Sequence, residues 1–349
     1  MPFRCKTHLW GVQGRFENPS YFIFVVNLER NMKTLYLIGN GFDIQHGILT
    51  SYSEFRNYLE KHHESFLKDF EAMYHIQPLD DTEPWYSEAA QERWKKSVLK
   101  DLWKSFEDEI GHPDVEGMYD IASSLTDGMP TIGIKDTLDN YWRAQYGFSS
   151  DLQQYVLEWL ESIDTSSVSP IKKSLIKDNT DVFINFNYTD ILERVYGVKN
   201  VLHLHGGIPS CSEIPPIMGH GNKFIIDFYK EKAKHASEEF IEWEESIYSA
   251  VAKFCASLYK DTDAVISMNN AFFSNLQDVE EIVSIGLSFG DVDTPYLTRI
   301  AEEVKPISRW KIYYYSHEDK IRLKNVFGIL GISRKFETYF LPCKMFWND

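Results

Sequence analysis

Residues 34–43, T-L-Y-L-I-G-N-G-F-D, decide the fold of this 349-residue chain. Five residues that are almost all apolar lead directly into a turn that contains two glycines. A short apolar run of this kind is typical of a strand buried on both faces of a parallel sheet. Glycines let the backbone turn sharply and come close to a ligand. Ligands of open parallel sheets bind beyond the carboxyl ends of the strands, where this turn lies.

Further strand and helix patterns alternate along the rest of the chain. Strands are predicted at Asp181 to Asn185, Asn200 to Leu204, Asp263 to Ser267, Ile282 to Leu287, Trp310 to Tyr315 and Thr338 to Leu341. Helical patterns separate them, and longer helical stretches cover about 52–180 and 222–280. This alternation predicts an α/β, Rossmann-like fold with a mostly parallel sheet and large helical insertions.

Residues 1–31 differ from the rest of the chain, because they mix polar and aromatic residues without a sustained period. We interpret them as a non-native or flexible extension before a natural start at Met32, so that residues 32–349 form the α/β domain. The alternative is an extra edge strand at Tyr21 to Val26.

Charge, hydrophobicity and cysteine spacing exclude several classes of function for this chain. Acidic residues outnumber basic ones by 52 to 36, and the net charge of −16 argues against general nucleic-acid binding. No apolar run reaches the ~18 residues of a membrane helix, and no signal peptide is evident. The four cysteines are not spaced as metal ligands, so no metal is expected and a reducing cytoplasm is favoured.

Four motifs, which begin at Gly39, Asn185, His203 and Gly286, place polar groups at predicted strand ends. The candidate binding residues are Gly39, Asn40, Gly41, Phe42, Asp43 and His46 in the first motif, Asn185 and Tyr188 in the second, His203, Gly206 and His220 in and after the third, and Gly286, Ser288 and Asp291 in the fourth. The candidate catalytic residues are Asn187, Asp190 and His205. An imidazole can act as a general base because its pKa lies near neutrality. In the simpler interpretation, Asn187, Asp190 and Asp293 only cap the helices next to them.

The fourth motif also allows a serine hydrolase. Residues 286–290 read G-L-S-F-G, which matches the nucleophile elbow, and His317 lies downstream. This alternative leaves the other three motifs without a role.

Together the motifs resemble the AbiH family of bacteriophage abortive-infection proteins. The resemblance rests on L-Y-L-I-G-N-G-F-D-I-Q-H-G, I-N-F-N-Y-T-D-I-L-E, H-L-H-G, M-G-H-G-N and I-G-L-S-F-G-D-V-D-T-P-Y, and covers nearly all of residues 33–341. It implies a role in defence, in which an infected cell stops growing or dies before phage mature. A phage-derived trigger and further copies of the chain are the partners expected in that role.

More distantly, the same series looks like sirtuins and sirtuin-like NAD hydrolases. By that resemblance, Gly39, Gly41 and Ser288 would hold the phosphates and ribose of NAD, Asn187 would position the ribose or a water, and His205 would be the base. Thr189 and Asn40 depart from the sirtuin pattern, and the zinc cysteines are missing, which argues against deacetylation. The resemblance therefore implies hydrolysis of NAD to nicotinamide and ADP-ribose. Non-catalytic nucleotide sensing is the main alternative, and a nuclease or RNA-targeting toxin is a further one.

Overall fold

The structure is a computed structural model that describes residues 32–348 apart from 77–78, 80–81, 84–85, 131–132, 148, 173–174 and 176–179. The extension or edge strand predicted within residues 1–31 lies outside the described residues.

The described residues form one six-stranded sheet in which every pair of neighbouring strands is parallel. Its strands are β1 (Thr34–Ile38), β2 (Val182–Asn185), β3 (Val201–His203), β4 (Glu281–Ile285), β5 (Arg309–Tyr314) and β6 (Glu337–Pro342). The spatial order β3-β2-β1-β4-β5-β6 is that of a doubly wound Rossmann fold, whose direction reverses between β1 and β4. The predicted α/β fold with a parallel sheet is confirmed.

Helices connect the strands and fill two long stretches between them. Between β1 and β2 lie α1 (Asn40–Gln45), α2 (Tyr52–His62), α3 (Glu64–Ala72), α4 (Glu88–Asp101), α5 (Phe106–Glu109), α6 (Val115–Thr126), α7 (Ile134–Tyr146) and α8 (Ser149–Ser162). After β2 come α9 (Ile191–Tyr196), α10 (Lys223–Glu238), α11 (Glu242–Ser257), α12 (Thr262–Met268) and α13 (Asn270–Ser274). The remaining helices are α14 (Thr294–Glu303), α15 (His317–Ile329), α16 (Ile332–Lys335) and α17 (Cys343–Asn348). No helix among the described residues is long and apolar enough to cross a membrane.

The apolar side chains of β1 alternate between the two faces of the sheet, as the twofold repeat of a strand requires. Leu35 and Leu37 belong to the core that packs against α14 and α15. Tyr36 and Ile38 belong to the core on the other face, with α9 and α17. Because β1 is covered on both faces, its sequence is apolar throughout, which explains why it gives the clearest strand pattern in the chain.

The two long helical stretches share a third core. Phe55 and Trp103 from the first stretch are fully buried in the same cluster as Ile247 and Cys255 from the second. Helices far apart in the sequence thus form one helical layer beside the sheet, and their packing fixes the residues that face the strand ends.

One predicted strand is wrong. Residues Asp263 to Ser267 lie within α12, because the side chain of Asp261 accepts a hydrogen bond from the Ala264 backbone N–H and caps that helix. A short apolar run fits a buried strand and a buried helix equally well, and here the cap decides between them.

Two glycine turns meet where the strand order reverses. The backbone N–H of Gly39 donates to the Ile285 carbonyl at 3.0 Å, and that of Gly41 donates to the Gly286 carbonyl at 2.8 Å. Gly286 has a φ of +68°, and a Cβ there would lie 2.4 Å from the Phe42 nitrogen. The loops after β1 and β4 therefore touch through backbone alone, which only glycine permits.

We expect Gly286→Ala to lower the free energy of unfolding by more than about 2 kcal/mol, because it adds left-handed strain to a backbone clash. Urea unfolding followed by circular dichroism measures the change. Gly328→Ala in α15 is the matched control, since an added Cβ there meets nothing within 4 Å and alanine favours helix. Equal effects of the two substitutions would contradict the role assigned to the glycine contact.

Candidate active site

A cavity of about 600 Å³ opens at the carboxyl ends of β1, β2 and β4. Of the residues predicted from the motifs, Asn40, Gly41, Asp43, Asn187, Tyr188, His205, Gly286 and Ser288 line it. All four motifs therefore contribute to one cavity, although they are far apart in the sequence. Its volume is in the range of small-molecule sites.

The helical layer forms the opposite side of this cavity, which the sequence analysis did not foresee. The lining residues from α2, α4, α5, α8 and the segment between α4 and α5 are Tyr52, Ser53, Leu99, Lys100, Trp103, Lys104, Glu107, Trp159 and Leu160. The cavity thus has a polar floor at the strand ends and a largely aromatic and basic wall.

Asp43 is buried at the floor and is held by the second motif. Its Oδ1 accepts a hydrogen bond from Asn187 Nδ2 at 2.9 Å, and its Oδ2 accepts one from the Thr189 hydroxyl at 2.6 Å. Burial raises the pKa of Asp43 to about 7, although these two hydrogen bonds lower it. The carboxyl group can therefore exchange a proton near neutral pH.

Asn187 links the floor to the first glycine turn. Its Nδ2 also donates to the Gly39 carbonyl at 3.1 Å, and its backbone N–H donates to Asn185 Oδ1 at 3.0 Å. Its Oδ1 is buried, and no described residue gives it a hydrogen bond. A buried acceptor that lacks a partner costs free energy, so this oxygen is suited to accept a hydrogen bond from a bound ligand.

His205 and Asp293 form a second polar pair at the floor. His205 Nε2 lies 3.9 Å from Asp293 Oδ1, and both atoms are buried without a hydrogen-bond partner in the described part of the chain. The distance is too long for a direct hydrogen bond, but one oxygen beside the pair can bond to both atoms. Burial, with Lys260 nearby, holds the pKa of His205 well below its usual value, so the imidazole is neutral and can accept a proton.

Asp293 stands at the N-cap position of α14, as the simpler interpretation expects, but its side chain makes no capping hydrogen bond. Burial raises its pKa to about 7, while the positive charge of Lys260 lowers it. Lys260 is fully buried and pairs with Glu107 at 2.5 Å. The carboxyl group of Asp293 is therefore available to the cavity rather than to the helix.

Several predicted residues lie outside the cavity lining and contact other parts of the protein. His46 bonds to the Phe42 carbonyl and to the Tyr196 hydroxyl, each at 2.7 Å. Phe42 is fully buried against these rings. Asn185 Oδ1 accepts a hydrogen bond from the Asn187 backbone N–H, and the Gly39 carbonyl accepts one from Asn187 Nδ2. These residues hold the first two motifs in place from behind the floor.

The other predicted residues outside the lining have partners of their own. Asp190 pairs with Arg194 and Ser210, and His203 Nε2 lies 2.7 Å from Glu193 Oε1. His220 Nε2 bonds to the Cys255 carbonyl at 2.8 Å. Gly206 forms a turn at φ +68°, and Asp291 is exposed. The structure brings His205 into the cavity but not the histidine two residues before it.

Some cavity residues were not selected from the sequence, and only part of them could have been. Thr189 and Asp293 lie within the second and fourth motifs and could have been selected there. Asp293 was instead interpreted as a helix cap. Glu107, Lys100 and Lys104 lie in an ordinary amphipathic region. Nothing local marks those three residues, because only the packing of the helical layer brings them to the strand ends.

Comparison with protein families gives one match: the model described as "Bacteriophage abortive infection AbiH" matches residues 35–314. The matched region contains all four motifs and the helical layer. No curated protein and no solved structure matches the chain.

We expect the titrations of Asp43 and Asp293 each to lower the free energy of unfolding as pH rises between about 4 and 7, by up to about 1.4 kcal/mol per pH unit. Burial raises the pKa of both carboxyl groups from 3.8 to about 7, so at these two groups the folded protein binds more protons than the unfolded chain within this window. His205 acts in the opposite direction, because burial lowers its pKa in the folded protein. Urea unfolding at a series of pH values measures the slope.

Asp293→Asn removes one of the two titrations, so its stability relative to the parent protein should increase as pH rises across this window. Asp120→Asn, exposed on α6 and outside the cavity lining, is the matched control and should leave the slope unchanged. Parallel pH profiles for the parent protein and Asp293→Asn would show that the buried carboxyl is not protonated as described.

Proposed function

The chain belongs to the AbiH family and so has a role in bacteriophage abortive infection, within which we propose that it hydrolyses NAD to nicotinamide and ADP-ribose. The observation that carries this proposal is the floor of the cavity. A neutral imidazole, an unpaired amide oxygen and two carboxyl groups converge there at the ends of parallel strands. These are the groups that cleavage of a bond between a sugar and a positively charged ring requires.

The reaction breaks the bond between C1′ of the ribose and the ring nitrogen of nicotinamide. The electron pair of that bond leaves with the nicotinamide, and positive charge develops on the sugar. The carboxylates of Asp43 and Asp293 stabilise this charge because they act at short range in a buried site. The oxygen of a water then bonds to C1′, and the water loses a proton.

His205 accepts that proton. Its Nε2 has no hydrogen-bond partner among the described residues, and a water or ribose hydroxyl beside the pair, at about 2.8 Å from each atom, would bridge Nε2 and Asp293 Oδ1. Bound there, the oxygen donates to the imidazole and is held by the carboxyl group, so it is oriented before the reaction begins. NAD and water thus give nicotinamide, ADP-ribose and one proton.

Asn187 positions the other groups. It fixes Asp43 through Nδ2, and its Oδ1 is the acceptor for a ribose hydroxyl. The serine hydrolase alternative has no comparable support. In the described part of the chain, no hydrogen bond joins the Ser288 side chain to a histidine, and Ser288 is followed by a short 3-10 segment rather than directly by a helix. The phage-derived trigger and the homo-oligomer stay predictions.

We expect His205→Ala to lower the rate of nicotinamide release from NAD by ~10²–10⁴, the usual contribution of a general base. Chromatography of purified protein incubated with NAD measures nicotinamide and ADP-ribose together. His235→Ala is the matched control, because His235 is exposed on α10 and distant in sequence from the motifs.

The result separates the proposal from its alternatives. If His205→Ala cleaves NAD as fast as the parent protein, His205 is not the base. If the parent protein binds NAD but releases no nicotinamide, alone or with lysate of infected cells, the non-catalytic sensor is the better account. The lysate supplies any phage-derived trigger that the isolated protein lacks.

A further inference from the structure

Charge is divided between the two sides of the cavity. Asp43 and Asp293 contribute carboxyl groups at the floor, whereas Lys100 and Lys104 lie on the helical side and are exposed. The helical side also contributes Glu107, which pairs with the buried Lys260. The two lysines are four residues apart in sequence, at the end of α4 and in the 3-10 segment Trp103–Ser105. An elongated ligand that extends from the floor to Lys104 would therefore meet carboxyl groups first and ammonium groups farther out.

The backbone N–H groups of the glycine turn after β1 are not available to bind a phosphate. Gly39 and Gly41 donate their N–H groups to carbonyls of the β4 loop, and the Phe42 N–H donates to the Gly39 carbonyl. These donors are already used within the protein. In a chain of net charge −16, a pyrophosphate at the cavity therefore needs donors from another element.

A second cavity adjoins the first. It has a volume of about 550 Å³ and lies towards the end of β5, where Arg322 lines it together with the acidic residues Asp108, Glu318 and Asp319. The residues that line both cavities are Tyr52, Lys104, Glu107, Ser288 and Asp293. Of these, Lys104 and Ser288 are the exposed ones, so they mark the open passage between the cavities.

We propose that Lys104, supported by Lys100, binds the pyrophosphate of a dinucleotide at this passage, with one nucleoside half in each cavity. The inference rests on the proposed function and specifies how the substrate lies. A dinucleotide consists of two nucleosides joined by a pyrophosphate, and the structure provides two cavities with a cation at their junction. An ammonium group binds phosphate as a compact point charge with several donors.

A buried network holds the backbone next to this lysine in place. Trp103, its neighbour in the chain, donates from Nε1 to Glu71 Oε1 at 2.8 Å, and Arg56 Nε donates to the same oxygen at 2.7 Å. All three side chains are buried in the helical core. The phosphate-binding wall is therefore part of the rigid helical layer, which gives that layer a role in recognising the ligand.

The test is calorimetric titration of ADP-ribose and NAD into the full chain. Lys104→Ala should weaken binding of ADP-ribose by about tenfold or more, because a hydrogen bond to a charged group is lost. Lys104→Arg should restore most of the affinity, and the affinity of Lys104→Ala should depend less on salt than that of the parent protein. Lys96→Ala, also exposed on α4 but outside both cavities, should change nothing.

Nicotinamide riboside, which carries no phosphate, should shift the melting temperatures of the parent protein and of Lys104→Ala equally. The proposal is overturned if Lys104→Ala binds ADP-ribose as tightly as the parent protein, if both probes lose affinity alike, or if the parent protein binds neither ADP-ribose nor NAD. Selective loss of ADP-ribose binding in a protein that releases no nicotinamide would refute hydrolysis and leave this inference standing.

Discussion

The backbone contact between the two glycine turns is the constraint on which the rest of the site depends. Gly39 and Gly41 lie against Gly286 so closely that no side chain fits between them. This contact brings the loops after β1 and β4 together at the point where the strand order reverses. The carbonyl of Gly39, which accepts from the Phe42 N–H, also accepts from Asn187 Nδ2 and so ties the second motif to the first. A single close approach thus assembles groups from three strands.

The site built on this contact is costly to keep folded. The carboxyl groups of Asp43 and Asp293 and the imidazole of His205 are buried. Asn187 Oδ1, His205 Nε2 and Asp293 Oδ1 have no hydrogen-bond partner among the described residues. Each unpaired buried group opposes folding, and the large apolar cores on both faces of the sheet and in the helical layer offset that cost. A bound ligand that satisfies these atoms would stabilise the folded state, since it binds the folded chain and not the unfolded one.

Much of the sheet could be predicted from the sequence, because central parallel strands such as Leu35 to Ile38 are apolar throughout and end in glycine or polar turns. The short run at Val265 could not be assigned correctly, since its helix depends on a cap at Asp261. At the site, Asn187 and His205 could be selected because each comes directly after a strand. His203 resembled His205 in sequence, and only the structure shows that it pairs with Glu193 instead.

Lys104 and Glu107 could not be predicted as site residues from the sequence. Their positions in the cavity depend on how helices separated by many residues pack into one layer, and no local pattern encodes that packing. The helical layer is therefore the part of the molecule in which the structure adds most to the functional account. It closes the open edge of the parallel sheet into a cavity whose helical side carries two lysines.

The most direct measurement of the central claim is a crystal structure of the protein with ADP-ribose. The account predicts density for the ligand across both cavities, with a ribose hydroxyl within hydrogen-bond distance of His205 Nε2 and Asp293, and with the pyrophosphate beside Lys104. Density for ADP-ribose elsewhere on the molecule, with the floor at Asp43 and His205 untouched, would contradict it.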